Sequence, residues 1–233
     1  MEGGTLHELL HSDQDISWET NIRYAFEIAS GMACVHKHQH IHRDLKSHNL
    51  LVSRTNHIKV SDFGTGRSIK ANDEPAIAET ESLFSDRYLT SLVGTVPWMA
   101  PEILSKQPYG PEVDVYSYAI VLWEIASRRE PWDHIADEEL RSTLCEMVGA
   151  GVRPSVDRAW PADYVKLMGA CWDSCASARP AFASIVLLPL FIQQNIDGAG
   201  ENARRGSTAH QPPLGLVASL GASLRRAAKT LSE

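Results

Sequence analysis

The spacing of apolar and polar residues predicts a mostly helical chain. Within residues 18–38, apolar side chains recur three to four positions apart, at Ile22, Phe26, Ala29 and Ala33. That spacing puts one apolar stripe on a helix, and Glu19 in its first turn complements the helix dipole. Residues 113–126 are apolar nearly all round, which is typical of a helix buried in the middle of a domain.

Shorter elements follow from the same reasoning. Leu50–Ser53 and Ile58–Val60 are predicted to be two short strands, separated by the turn-like residues 54–57. Two further amphipathic segments predict helices, residues 137–149 and 161–173.

The remaining segments are a last helix, a long loop and the end of the chain. A last helix is expected just after Arg179-Pro180, with the proline in its favoured first-turn position. Residues 64–92 are polar and aperiodic, and they predict a long loop. After Asp197 the chain loses its core pattern, so we expect one domain over residues 1–195 and a disordered tail over residues 196–233.

Composition narrows the class of protein. A net charge of −7 is unfavourable for a general nucleic-acid binder, so no nucleic-acid partner is expected. The longest apolar run, residues 185–192, is too short to cross a bilayer, which predicts no integral membrane segment. The four cysteines lack metal-binding spacing and predict buried, reduced thiols and a cytoplasmic location.

Four histidines alternate with other residues at the end of the first long helix. They are His36, His38, His40 and His42. Side chains so spaced across a helix end point apart, so we do not expect a metal site there.

Three ordered motifs carry the chemistry. Residues 42–49 read His-Arg-Asp-Leu-Lys-Ser-His-Asn, an H-R-D-L-x-x-x-N pattern, and Asp62-Phe63-Gly64 begins thirteen residues after Asn49. Ala100-Pro101-Glu102 follows in the same order. Together, these motifs resemble the C-terminal lobe of eukaryotic-type protein kinases, from Met1 to about Ile192.

The resemblance implies a mostly α fold, a kinase C-terminal lobe with a few very short strands, and no β-rich N-terminal lobe. It also implies ATP and Mg²⁺ as cofactors and a protein hydroxyl as the acceptor. Asp44 would accept or orient the proton of that hydroxyl, and Lys46 would neutralise charge on the transferring phosphoryl group. Asn49 and Asp62 would bind Mg²⁺. Leu51 would form the floor of the adenine pocket, and Thr5 falls where the hinge contacts the ribose.

Two supporting interactions are also implied by the resemblance. Asp114 would accept backbone N–H groups of the loop at residues 42–49, called the HRD loop below. Glu102 would pair with Arg179, and a buried pair of this kind costs about 3–5 kcal/mol when one side is removed.

The type of residue that is phosphorylated and the mode of regulation are inferred from fewer positions. Lys46 and Gly94-Thr95 favour serine/threonine substrates, whereas Trp98-Met99 resembles tyrosine kinases. This mixture is typical of the tyrosine-kinase-like group, which includes mixed-lineage and Raf-type serine/threonine kinases. Arg43 implies pairing with a phosphorylated activation-loop residue, for which Thr90 and Ser91 are favoured.

The nucleotide site lacks half of its usual parts in these 233 residues. No three glycines fit G-x-G-x-x-G, and the one lysine before Asp44 is Lys37, within the predicted helix. Two interpretations stay open: an active serine/threonine kinase region truncated at the hinge, or a non-catalytic kinase-like binding or scaffold module.

Overall fold

The fold is mostly helical, as the sequence predicts. The computed structural model describes residues 3–62, 64, 67–68, 95–135 and 140–188. The helices in those ranges are α1 (Leu6–Leu10), α2 (Trp18–Lys37), α3 (Pro101–Leu104), α4 (Glu112–Ser127), α5 (Leu140–Gly149), α6 (Ala162–Cys171) and α7 (Phe182–Ile185). The strands are β1 (His40–Ile41), β2 (Leu50–Val52), β3 (Ile58–Val60) and β4 (Arg67–Ser68). Short 3₁₀ turns cover Ser47–Asn49, Val96–Trp98 and Ala176–Ala178.

Helix α4 lies at the centre of the domain. Every residue from Val113 to Ile125 is buried, which confirms the prediction from its all-round apolar pattern. Two tyrosine hydroxyls connect α4 to the neighbouring helices α2 and α6 across the core. Tyr118 donates to the carbonyl of Ala25 in α2 at 2.9 Å, and Tyr164 of α6 donates to the carbonyl of Leu122 at 2.7 Å. Because both hydroxyls have partners, these large rings are buried without an unpaired polar group.

The two predicted strands form an antiparallel hairpin. Leu50 pairs with Val60 and Val52 pairs with Ile58. Glu27 of α2 accepts from the N–H of Ile58 at 2.7 Å, so the hairpin is fixed against the long helix. The second pair, β1 with β4, has two residues a strand and was not predicted, because so short a segment has no periodicity.

Some details differ from the predictions. Helix α7 begins at Phe182 with Ala181 as its N-cap, so Pro180 precedes the cap and does not lie in the first turn. All four cysteines are free, but only Cys171 is buried; Cys34 and Cys175 are exposed, so the prediction of buried thiols was wrong for these two. The predicted tail and nearly all of the loop at residues 64–92 lie outside the described residues. Among those described, no helix combines the length and hydropathy that a membrane span requires.

The predicted Glu102–Arg179 pair is present. Arg179 contacts both carboxylate oxygens of Glu102, at 2.5 and 2.9 Å, and its side chain is fully buried. The guanidinium also donates to the carbonyls of Asp173 and Glu112, at 2.8 and 3.0 Å, and lies over the ring of Tyr116. One arginine thus connects α3, the start of α4 and the segment that follows α6.

Removing either member of this pair should destabilise the domain. We expect Glu102→Gln and Arg179→Met each to lower the free energy of unfolding by about 3–5 kcal/mol, since each leaves a buried charge without its partner. The double variant should lose clearly less than the sum, because the two residues form one interaction. Urea unfolding of all four proteins measures the coupling.

The matched control is Arg129–Asp133, which has similar two-point geometry at 2.8–3.0 Å but is exposed. Its coupling should be about 1 kcal/mol or less. A coupling for Glu102–Arg179 no larger than this control would contradict the role assigned to the buried pair.

Candidate active site

The HRD loop is anchored by the buried carboxylate of Asp114. Its Oδ2 accepts from the N–H of His42 and its Oδ1 from the N–H of Arg43, both at 2.8 Å. The Nε2 of His36 lies 2.8 Å from Oδ2 as well. Arg43 has a left-handed φ of +66°, which costs a non-glycine residue free energy, and these bonds hold it there. The predicted role of Asp114 is confirmed, and His36 was missed.

The imidazole of His42 joins the HRD loop to the segment before Asp62. It is fully buried, and its Nε2 lies 2.9 Å from the carbonyl oxygen of Ser61. Its Nδ1 accepts from the N–H of Asp44 at 3.3 Å. Because a carbonyl can only accept, the proton lies on Nε2.

Asp44, Lys46 and Asn49 lie in one bonded cluster. The side-chain N–H₂ of Asn49 donates to the carbonyl of Asp44 at 2.7 Å and to its Oδ2 at 2.8 Å. The Lys46 ammonium lies 3.2 Å from Asp44 Oδ1 and donates to the hydroxyl of Thr95 at 2.8 Å. Among the described residues, Asp44 Oδ1 accepts no hydrogen bond. This oxygen is hidden from solvent and lies beside the lysine ammonium, so a further donor would have to approach it next to Lys46.

Asn49 and Asp62 provide oxygen atoms suited to a hard cation. Since the amide nitrogen of Asn49 is committed to Asp44, its amide oxygen is the group left for a ligand. Ser61 bonds the carbonyl of Asn49 through both its N–H and its hydroxyl, at 2.9 Å each. The next residue, Asp62, is exposed and has a left-handed φ of +60°. Carboxylate and amide oxygens fit Mg²⁺. Phe63 lies outside the described residues.

Leu51 and Thr5 lie side by side in an isolated antiparallel bridge. Val52 also donates to the carbonyl of Gly4 at 2.9 Å. A Cβ on Gly3 would lie 2.3 Å from the carbonyl oxygen of Val52, so this approach requires glycine. Thr5 is the N-cap of α1 and exchanges two hydrogen bonds with Glu8, a structural role that sequence reasoning missed. Its contact with a ribose stays a prediction.

Glu124 is a further residue that sequence reasoning missed. It is fully buried in α4, and it accepts from the hydroxyl of Ser47 and from the indole N–H of Trp98, both at 2.6 Å. Burial raises the pKa of its carboxyl from 4.5 to about 8. One sign was available in the sequence, because Glu124 is the single charged residue within residues 115–126.

Comparison with known proteins identifies the family. A family model described as protein tyrosine and serine/threonine kinase matches residues 1–188. The chain belongs to this kinase family. The relatives it matches include "Serine/threonine-protein kinase STY46" of Arabidopsis thaliana, 31% identical over 227 residues that cover 97% of this chain and 36% of the relative. Another is "Mitogen-activated protein kinase kinase kinase dlk-1" of Caenorhabditis elegans, 36% identical over 186 residues, 78% of this chain and 18% of the relative.

The kinase chain spans about a third or less of the length of these curated relatives. Their names agree with the resemblance to tyrosine-kinase-like serine/threonine kinases that the motifs indicate.

The buried carboxyl of Glu124 should make stability depend on pH. The folded state holds the proton up to about pH 8, whereas the unfolded chain releases it near pH 4.5. The folded state therefore binds more protons in this window, and its stability falls as the pH rises. Glu124→Gln removes the titration, and its amide can accept from Trp98 while donating to Ser47. We expect the variant to gain stability relative to the parent progressively from pH 5 to pH 8.

Urea unfolding of both proteins at several pH values measures this difference, and the contributions of histidines cancel in the comparison. The exposed Glu146→Gln is the matched control and should follow the parent at every pH. A constant difference between Glu124→Gln and the parent across the range would show that Glu124 does not titrate as stated.

Proposed function

We propose that this chain is the C-terminal lobe of a protein serine/threonine kinase, which transfers the γ-phosphoryl group of ATP to a protein hydroxyl. The observation that carries the proposal is the bonded cluster of Asp44, Lys46, Asn49 and Thr95. Phosphoryl transfer needs positioned charges more than covalent chemistry by the protein. A buried carboxylate, with one oxygen that accepts no hydrogen bond, lies next to a lysine ammonium. These two groups supply positioned charges of opposite sign.

The residues would act as follows. The substrate hydroxyl oxygen attacks the γ-phosphorus, the bond to the β–γ bridging oxygen breaks, and ADP leaves. Asp44 orients the hydroxyl and takes its proton, while the Lys46 ammonium opposes the negative charge on the transferring group. The bond from Asn49 to Asp44 Oδ2 fixes the carboxylate plane, and we assign Oδ1, the buried oxygen beside the Lys46 ammonium, to the substrate hydroxyl.

Asn49 and Asp62 would hold Mg²⁺, which when bound neutralises phosphate charge. Leu51 would contact the adenine, and Thr5 the ribose. The bridge between these two residues supports placing the base and the sugar along β2.

The 2.8 Å bond from Lys46 to Thr95 supports serine/threonine specificity, because it connects the HRD loop to the segment expected beside the acceptor. The name of the Arabidopsis thaliana relative, a serine/threonine-protein kinase, agrees with this proposal. We propose residues 1–195 as the kinase domain, a tail over residues 196–233, and a cytoplasmic, signalling role.

Purified residues 1–233 should show negligible phosphoryl transfer and only weak binding of Mg·ATP. The sequence holds neither a glycine-rich phosphate loop nor a strand lysine, and most of the phosphate-binding charge is therefore missing. Transfer from radiolabelled ATP to a generic protein acceptor is the measurement. Strong transfer that is lost in Asp44→Asn and kept in the exposed Asp133→Asn would contradict this expectation.

Weak binding can still test the assignment of the metal-binding oxygens. Mn²⁺ with ATP, a paramagnetic substitute for Mg·ATP, should selectively broaden the amide NMR resonances next to Asn49 and Asp62 in the ¹⁵N-labelled chain. Asp62→Asn should weaken this broadening several-fold, because a carboxylate oxygen is lost from the site. Asp133→Asn is the control and should leave it unchanged. Broadening that is absent at these residues, or insensitive to Asp62→Asn, would contradict the proposed function.

A further inference from the structure

Two histidines and a glutamate converge outside the candidate active site. His7 lies on α1, His11 is the C-cap of that helix, and Glu130 lies just after α4. Glu130 Oε1 is 3.4 Å from His7 Nδ1 and 3.6 Å from His11 Nε2. One ligand atom from each residue lies within 4.8 Å of the other two. The three ligand atoms thus lie close together.

Hydrogen bonding does not account for this arrangement. Protein N–H···O bonds are about 2.7–3.2 Å between heavy atoms, and both separations to Glu130 are longer. His7 Nδ1 is hidden from solvent and has no hydrogen bond among the described residues. A buried ring nitrogen without a partner costs free energy that a bound ligand would recover.

The orientation of His11 is fixed for ligation. Its Nδ1 lies 2.9 Å from the carbonyl oxygen of His7, which can only accept, so the proton lies on Nδ1. The lone pair therefore lies on Nε2, the atom that faces Glu130. A ring N–H bonded to a backbone carbonyl is the usual support of a metal-ligating histidine.

The elements that carry the three residues are held together. Arg128 donates to the carbonyls of Leu10, Gln14 and Ser12, at 3.0, 2.7 and 2.5 Å. This attaches the end of α1 to the segment that carries Glu130. The ring of His48, from the HRD loop, is stacked on His7 with centroids 3.7 Å apart and restricts the His7 ring. The cluster is therefore built on a fixed support, which reduces the reorganisation that binding requires.

We propose that His7 Nδ1, His11 Nε2 and Glu130 Oε1 bind one divalent transition-metal ion of the Zn²⁺ class. Zinc bonds of about 2.0–2.2 Å in a tetrahedron place neighbouring ligand atoms about 3.3–3.5 Å apart, close to the two separations to Glu130. Two imidazoles and a carboxylate leave a fourth position for water or another donor.

The proposed metal site is separate from the residues proposed for phosphoryl transfer. It would join α1 to the segment after α4, and through the stacked ring of His48 it would contact the HRD loop. Binding to the folded state alone would stabilise the domain. The proposal does not depend on the kinase function, and its test uses no kinase activity.

Zinc titration of the chain, with any affinity tag removed, tests the proposal. Competition against a chromophoric chelator should give one Zn²⁺ per chain and a rise in melting temperature. His11→Gln and Glu130→Gln should each weaken binding at least tenfold, as expected when a ligand is lost. Both replace residues that are partly open to solvent, so folding should be kept, and far-UV circular dichroism verifies it.

The matched control is His134→Gln, which removes an exposed histidine beside the carboxylate of Asp133 and should bind zinc like the parent. Exposed Cys34 and Cys175 are rival ligands, so Co²⁺ spectra are recorded as well. We expect weak ligand-field bands of nitrogen and oxygen ligation. A thiolate charge-transfer band, zinc affinity unchanged in both variants, or the absence of binding by the parent would each overturn the proposal.

Discussion

The burial of one carboxylate, that of Asp114, is the constraint on which the HRD loop depends. Its two oxygens accept two consecutive backbone N–H groups and face the ring of His36, all at 2.8 Å and with no exposure to solvent. A buried carboxylate is tolerated only when such donors surround it. The same carboxylate holds Arg43 in a left-handed conformation, which the loop would not keep without these hydrogen bonds. The direction in which Asp44 leaves the backbone follows from that conformation.

Helix α4 supports the loop at a second point. Glu124 lies ten residues after Asp114, about 15 Å along the helix, and binds Ser47 and Trp98. Asp114 holds the beginning of the HRD loop through backbone N–H groups, and the carboxyl group of Glu124 holds the Ser47 side chain near the end of the loop. The two anchor points explain why the buried stretch of α4, from Val113 to Ile125, carries two acidic residues. A rigid, apolar helix fixes both at a constant separation.

The sequence predicts those parts of the fold that local patterns determine. Helix α2, the all-apolar α4 and the β2–β3 hairpin follow from periodicity and turn residues. The predicted stripe of α2 was wrong for two of its four residues, because Phe26 and Ala33 are only half-buried. Asp114 and the Glu102–Arg179 pair could be assigned because ordered motifs imply them. In contrast, the partners of Glu124, the β1–β4 pair and the approach of Glu130 to α1 depend on residues distant in the sequence. No local sequence pattern indicates such contacts, because the residues come together only when the chain folds.

The 3₁₀ turn at Ser47–Asn49 shows how these distant contacts act on one segment. Such a turn has three residues per turn, so three successive side chains point about 120° apart. Ser47 binds Glu124 of α4, His48 stacks on His7 of α1, and Asn49 binds Asp44 within the loop. Each direction is therefore held by a different element. Because all three contacts are made by groups of the chain itself, the fold sets the position of this turn next to Asp44.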